Sequence, residues 1–191
     1  MAKKFKYYAL NKPYGMLSQF TDGEGRTTLS SLYKFPKDVY PIGRLDLDSE
    51  GLLLLSNDKS LVDLLLNPQH HYEKEYFVQV EGIPTESAIQ MLREGVVIKG
   101  YKTLPAKVKI INEPKIPERV PPIRVRKNIP TCWLSVILHE GKNRQIRRMT
   151  ASVGFPTLRL IRVRINNIHL QTLGSLSVRE LSTDEVKKLK L

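Results

Sequence analysis

The sequence predicts an α+β protein with a mixed, mostly antiparallel sheet flanked by helices and an active-site cleft. Strand-like and helix-like segments are interspersed without the regular strand–helix–strand rhythm of a parallel sheet. A length of 191 residues with 41% hydrophobic residues suffices for one buried core. No repeat or low-complexity segment interrupts the chain. We therefore expect a single domain over residues 1–191.

Runs of apolar and β-branched residues predict the strands of this sheet. The continuous leucine run Leu52–Leu55 is typical of a buried strand. Residues 75–80 instead alternate in character, as a half-buried strand does. The predicted strands cover residues 6–10, 52–55, 75–80, 107–112 and 132–138, with one or two more within 158–168.

Helices are predicted where helical spacing of apolar residues meets a capping residue. Thr85 is the expected N-cap of one helix and Gly95 its stop. Ser182 and Glu185 have the spacing of a capping box. The predicted helices run from Asn57 or Asp58 to Leu66, over 85–93, over 143–153, and onward from Ser182.

The remaining segments are predicted turns and loops. Residues 11–15 read as a turn after the first strand, and 22–25 as a loop. Residues 113–130 hold five prolines, a density that excludes a regular helix or a central strand. This Pro-rich basic segment is expected to be an exposed loop or insertion.

The net charge of +12 and the pI of about 9.8 indicate a polyanionic partner, usually nucleic acid. The single cysteine, Cys132, excludes an internal disulfide and suits a reducing compartment. The N-terminal residues lack the apolar stretch of a signal peptide, and the leucine run is far short of a membrane helix. We expect a cytoplasmic protein that contacts no membrane, and take a monomer as the working assumption.

Much of the positive charge lies in one stretch. Residues 141–164 contain seven basic residues and no acid, which favours a surface that binds phosphates over a merely solvated face. These residues are Lys142, Arg144, Arg147, Arg148, Arg159, Arg162 and Arg164.

Against this background the acidic segment GRLDLDSEGLLLLSND, residues 43–58, requires an explanation. A calcium loop that starts at Asp46 would need a bidentate glutamate at its twelfth position, where Asn57 stands. A magnesium and nucleotide-sugar site is disfavoured because no glycine-rich phosphate loop accompanies it. A third interpretation is an exposed acidic turn that enters a strand. Arg44, two residues before Asp46, instead favours an ionised carboxylate that acts as nucleophile or base.

Four motifs together resemble those of bacterial ribosomal RNA pseudouridine synthases, the RsuA/RluB/RluE/RluF group. They are LNKPYG (10–15), GRLDLDSEGLLLLSND (43–58), KEYFVQV (74–80) and EGKNRQIRRM (140–149). The resemblance covers about Tyr8 to Leu181. Most of that group carry an S4-like RNA-binding domain in front, for which this chain has no room, so it looks most like the RluE type. That type acts on large-subunit rRNA.

The resemblance also implies roles for individual residues. Asp46 matches the essential aspartate, and Tyr76 the tyrosine that stacks on the target base. Arg147 matches the arginine that pairs with the aspartate, and Ile146 an apolar residue of the base pocket. Arg44 is expected near the RNA. The other expected RNA contacts are Lys12, Lys142, Arg144, Arg148, Arg159 and Arg162.

The implied reaction isomerises uridine to pseudouridine after the base leaves its stack. It needs no redox step or energy input, so no cofactor is expected. The histidine pair His70–His71 lacks further ligands at metal-site spacing, so no metal is expected either. The alternative is a non-catalytic RNA-binding or ribosome-assembly protein that has kept the same fold.

Overall fold

The structure, a computed structural model, describes residues 4–123, 126, 128–174 and 177–191. The chain divides into two compact units. The first comprises Met1–Tyr72 with Arg162–Leu191, and the second comprises Glu73–Ile161. The expectation that residues 1–191 act as one catalytic domain stays a prediction.

The described residues form strands and four α-helices. The strands are β1 (Tyr7–Lys12), β2 (Tyr40–Pro41), β3 (Glu50–Ser56), β4 (Lys74–Glu81), β5 (Val97–Ile98), β6 (Tyr101–Lys102), β7 (Lys107–Ile111), β8 (Thr131–Leu138), β9 (Thr157–Ile165), β10 (Ile168–His169) and β11 (Val178–Glu180). The helices are α1 (Ser60–Leu66), α2 (Glu86–Glu94), α3 (Gln145–Ser152) and α4 (Thr183–Leu189). Short 3-10 turns lie at Leu29–Ser31, Pro68–His70 and Leu170–Leu173.

In the first unit, β1 pairs antiparallel with both β3 and β11. Alternate residues of β3 enter two separate apolar clusters. Leu52 and Leu54 pack in one cluster, and Leu53 and Leu55 in the other. Successive side chains of a strand point to opposite faces, so the continuous leucine run reflects a strand buried on both sides. This confirms the prediction for Leu52–Leu55.

The first strand is longer than predicted. Asn11 and Lys12, read from sequence as the start of a turn, continue β1 and pair with Leu52 and Gly51 of β3. The turn prediction for these two residues was wrong because pairing with a distant strand outweighs the local turn preference of asparagine.

The helix ends of the first unit largely follow the capping signals. Ser182 and Glu185 form both hydrogen bonds of a capping box at the start of α4, as predicted. At α1, Asp58 accepts from the backbone N–H of Ser60 at 3.1 Å. The helix itself begins at Ser60, slightly later than predicted.

In the second unit, β8 pairs antiparallel with β4 on one side and β7 on the other. Helix α2 packs against β7, and Arg93 donates from Nε to the carbonyl of Val108 at 2.9 Å. Thr85 caps α2 through a hydrogen bond from the backbone N–H of Ala88, as predicted. Between β7 and β8, the described part of the Pro-rich segment contains no helix or strand, which agrees with a loop.

No helix in the described part of the chain is both long and apolar enough to cross a membrane.

Candidate active site

Asp46 lies on the loop that connects β2 to β3 in the first unit. Gly43 and Gly51 flank this loop with φ angles of 73° and 102°. Both values fall in the region that favours glycine, so the two glycines allow sharp changes of direction on either side of Asp46. Within the loop, the carbonyl of Asp46 accepts from the N–H of Ser49 at 3.0 Å, which closes a tight turn. Asp46 is half-buried there, and Arg44 is exposed.

Two contacts fix this loop to the segment that follows β1. The Ser18 hydroxyl donates to the carbonyl of Leu45 at 2.8 Å and accepts from the Leu45 N–H at 3.0 Å. The Gly15 N–H donates to the carbonyl of Leu47 at 2.9 Å. The LNKPYG and GRLD motifs are therefore in direct contact. Sequence reasoning missed this positioning role because the two motifs lie about 30 residues apart.

Lys12 is completely buried rather than exposed to RNA. Its ammonium donates to the carbonyls of Pro13 at 3.0 Å and Met16 at 2.7 Å. The predicted phosphate contact is therefore not available to this side chain in the structure. Instead, Lys12 holds the turn from Pro13 to Met16, whose Gly15 carries the bond to the Asp46 loop.

Burial lowers the pKa of Lys12 to about 8, although three nearby carboxylates act in the opposite direction. These are Glu50, Asp48 and Asp46, in order of decreasing effect. Arg162 adds to the lowering of the Lys12 pKa as a like charge. Asp46 therefore lies in the field of a buried lysine, and the same field reaches its acidic neighbours.

Arg159 and Arg162 are also buried, with exposures of 8% and 5%. Arg162 donates from Nε to the carbonyl of Leu52 at 2.7 Å. Counting charges in 141–164 predicts a basic surface, but these two side chains lie in the continuous buried run of strand β9 from Arg159 to Arg162. Arg159 still lines a pocket of the second unit, and the contact of both arginines with RNA stays a prediction.

Tyr76 and Ile146 lie in the second unit. Tyr76 is on β4, opposite Val136 of β8, and is 8% exposed. It shares the buried face of the strand with Val78 and Val80. Ile146 is buried in the first turn of α3. Both positions are compatible with an apolar lining, and their contact with a target base stays a prediction.

The loop before α3 is fixed by a buried glutamate that sequence reasoning missed. Glu140 accepts from the Tyr101 hydroxyl at 2.5 Å and from the N–H of Leu104 at 2.9 Å. Gln145 also donates to it at 2.5 Å. The Lys142 ammonium lies 3.7 Å from the centre of the Tyr101 ring. Glu140 thus holds the loop of the EGKNRQ motif in place, and no local pattern in the sequence predicts its partners Tyr101 and Leu104.

The arginines of this motif occupy different environments. Arg144 is exposed and adopts a φ of 52° immediately before α3. Arg147 is half-buried and donates to the carbonyl of Thr157 at 3.3 Å. Arg148, also half-buried, donates to Asn143 at 2.7 Å. The pairing of Arg147 with Asp46 stays a prediction.

Among the described residues, no group of three or more His, Cys, Asp or Glu side chains is placed to hold a metal ion. His70 instead bonds to Asp63, with 3.0 Å between Nε2 and Oδ2. Cys132 is buried, and burial raises the pKa of its thiol.

Comparison with known proteins gives a consistent result. Residues 6–152 match the family described as RNA pseudouridylate synthase. A protein of Vibrio vulnificus (strain CMCP6) named ribosomal large subunit pseudouridine synthase E is 52% identical over 177 residues, which cover 93% of this chain and 75% of the relative. A protein of the same name from Xanthomonas axonopodis pv. citri (strain 306) is 50% identical, over 86% of this chain and 88% of the relative.

A solved structure titled as the crystal structure of pseudouridylate synthase superposes with a TM-score of 0.80 at 27% identity. The match covers 97% of this chain and 74% of that one. The predicted α+β fold class is thereby confirmed.

Proposed function

Because the chain belongs to the RNA pseudouridylate synthase family, we propose that it isomerises uridine to pseudouridine in the RNA of the large ribosomal subunit. The observation that carries the proposal is the extent of the family match. It runs over residues 6–152 and includes Asp46, Tyr76 and Arg147. The named relatives add the substrate class, since they are large-subunit enzymes at about half identity.

The reaction exchanges one glycosidic bond for another. The bond between ribose C1′ and uracil N1 breaks, the base turns, and C5 forms a bond to C1′. C5 loses its proton and N1 gains one, so the reaction is balanced without an external reactant. Asp46 is the proposed catalytic carboxylate, which attacks the sugar or assists loss of a sugar proton.

The other site residues are assigned to binding and orientation. Tyr76 stacks on the flipped base, a contact worth about 1–3 kcal/mol, and offsets part of the cost of unstacking it. Ile146 excludes water from the detached uracil. Arg147 holds Asp46 ionised and oriented through paired N–H donors.

RNA contact is assigned to the basic side chains that are not buried. These are Arg44, Lys142, Arg144 and Arg148, and they supply the phosphate attraction that the net charge of +12 indicates. Lys12 supports the Asp46 loop from within, through the turn after β1 that Gly15 joins to Leu47. The protein is proposed to be a monomer and to work in the cytoplasm, where its RNA substrate is found.

Tritium release tests the proposal directly, because formation of the C5–C1′ bond displaces the hydrogen on C5. Large-subunit rRNA transcribed with uridine triphosphate that carries tritium at C5 is incubated with the wild-type protein and with Asp46→Asn. The wild type is expected to release tritium at one or a few sites, and the folded variant none. RNA binding without release by the wild type, on free rRNA and on assembling particles alike, would favour the non-catalytic alternative.

A further inference from the structure

The first unit contains an open groove in which, apart from Ser18, Gly43 and Arg44, the lining residues have no role assigned so far. It has a volume of about 960 Å³ and is formed by residues between Ser18 and Arg44. Its lining combines the aromatic side chains of Phe20, Tyr33 and Tyr40 with the basic side chains of Lys34, Lys37 and Arg44. We name it the aromatic groove.

The aromatic rings of the groove are anchored on the inside and open on the outside. Phe35 packs edge-on against the Tyr8 ring of β1 at 5.3 Å and lies 4.9 Å from the Tyr33 ring. Phe20 lies 5.5 Å from the same Phe35. Yet Tyr33 is 45% exposed and Tyr40 is 62% exposed. A rigid aromatic cluster with exposed rings is suited to a flat, partly apolar ligand.

The charge of the groove specifies the sign of that ligand. Lys34, Lys37 and Arg44 are all exposed. No acidic side chain is among its lining residues, all of which belong to the described part of the chain. The nearby Asp22 is already paired with Arg26 at 2.7 Å. Such a groove complements a ligand that has both a flat ring system and a negative charge. A nucleotide has both features.

The groove also leads to the loop that carries Asp46. Gly43 and Arg44 are lining residues, and Arg44 lies two residues before Asp46. At the other side, Ser18 lines the groove and bonds through its hydroxyl to Leu45. A strand whose uridine reacts at Asp46 therefore has an adjacent surface for its next nucleotides.

We infer that the aromatic groove binds a nucleotide of single-stranded RNA that flanks the target uridine, by stacking on Tyr33 or Tyr40 and by phosphate contact with Lys34, Lys37 and Arg44. This inference rests on the proposed function, since it assigns the groove to the same RNA substrate. The groove is formed by residues that precede Asp46 in the protein sequence, and it is a binding site separate from the place where Tyr76 stacks on the target base.

The binding test uses a fluorescently labelled twelve-residue oligouridine and measures anisotropy at several salt concentrations. Of the variants Tyr33→Ala and Tyr40→Ala, the one that removes the stacking ring is expected to weaken binding by about ten-fold, the scale of one lost base–aromatic stack. The conservative changes Tyr33→Phe and Tyr40→Phe keep the ring and should bind like wild type. Phe5→Ala is the matched control, because Phe5 is an equally exposed aromatic of the same unit, at 44%, outside the groove.

A second pair of variants avoids the aromatic cluster altogether. Lys34→Glu and Lys37→Glu change exposed side chains, so both variants are expected to fold. Each should weaken oligouridine binding and flatten its salt dependence by up to about one unit of slope. Oligouridine that carries 5-iodouridine should photocrosslink to peptides containing Tyr33 or Tyr40.

The outcomes separate this inference from the proposed function. If the tyrosine and lysine variants bind oligouridine as wild type does, the groove is not an RNA site, whatever the enzymatic activity. If they lose binding while the wild type forms no pseudouridine, the groove binds RNA but the proposed function fails. If the groove inference and the proposed function are both correct, the tyrosine and lysine variants should raise KM for rRNA and leave kcat within about two-fold of wild type. Asp46→Asn should instead abolish kcat and keep oligouridine binding.

Discussion

Gly15 donates its backbone N–H to the carbonyl oxygen of Leu47 at 2.9 Å, which joins the turn after β1 to the loop that carries Asp46. Gly15 has a φ of 74°, and a side-chain carbon placed there would meet no heavy atom within 4 Å. The glycine is therefore required for its backbone conformation and not for space. A small substitution tests the backbone link without a steric clash.

Gly15→Ala should lower stability by about 1–2 kcal/mol, the cost of a left-handed conformation for an L-residue. Because the strain loosens the bond to Leu47, turnover should fall more than RNA affinity. Gly100→Ala is the matched control, since Gly100 has the same φ of 74° and open space but lies in the β5–β6 turn. Thermal unfolding and tritium release measure both effects. Equal turnover in the two variants would contradict a positioning role for the Gly15–Leu47 bond.

Lys12 gives a prediction for stability at alkaline pH. Its pKa is about 8 in the folded protein and 10.5 ordinarily, so between these values the unfolded chain binds more protons. The contribution of Lys12 to stability therefore rises as pH increases from about 8 to 10.5. Lys12→Met removes this dependence. We compare the free energy of unfolding of Lys12→Met with that of wild type at each pH. The variant minus wild-type difference should be about 2–3 kcal/mol larger at pH 7 than at pH 10.5.

Urea unfolding of both proteins at intervals between pH 7 and pH 10.5 measures this difference. Other titrating groups are common to the two proteins and cancel in the comparison. A difference that is the same at every pH would show that the ammonium of Lys12 is not charged and buried as the structure places it.

Asp58 gives the opposite pH dependence. Burial alone would raise the pKa of this carboxyl, but hydrogen bonds from Lys190, Ser60 and Tyr7 outweigh burial and lower it to about 2. The folded value lies below the ordinary 3.8, so the stabilisation is present above about pH 4 and is lost as pH falls towards 2. Asp58→Asn should cost about 2 kcal/mol at pH 7 and far less at pH 2.

The control for Asp58 lies on the helix that follows it. Asp63 bonds to His70 with its side chain 73% exposed, so solvent screens the pair and Asp63→Asn should change stability little. Urea unfolding at pH 7 and pH 2 compares the two variants. If Asp58→Asn is as mild as Asp63→Asn at pH 7, the bonds to Lys190 and Tyr7 do not contribute as described.

Local patterns in the sequence predicted those parts of the fold that local chemistry determines. The caps at Thr85 and Ser182 and the doubly buried run Leu52–Leu55 are examples. The patterns failed where a distant partner decides. Lys12 continues a strand because β3 pairs with it, and Asn11 was misread for the same reason.

The candidate site shows the same division. The motifs predict roles for Asp46, Tyr76 and Arg147, since these residues lie in recognisable local sequences, and these roles stay predictions. The number of basic residues in 141–164 does not predict that Arg159 and Arg162 are buried, because burial along β9 depends on what packs against each face of the sheet. The brace between Glu140 and Tyr101 joins residues 39 positions apart, so no local pattern predicts it.

Arg147 provides the test of how the proposed catalytic aspartate is held. If Arg147 only contacts phosphate, Arg147→Lys should retain most activity, since lysine also supplies a positive charge. If its guanidinium forks onto Asp46, lysine lacks the planar pair of donors and holds the carboxylate less firmly. We expect the second result, with RNA affinity within a few-fold of wild type and turnover reduced by roughly 10²-fold or more. Arg148→Lys, the neighbouring residue that bonds to Asn143, is the control and should be nearly silent in a single-turnover assay. If both substitutions have mild and equal effects, Arg147 belongs to the general basic surface and is not the partner of Asp46. Asp46 would then be oriented within the first unit, through the contacts of Ser18 and Gly15 with its loop and the nearby charge of Lys12.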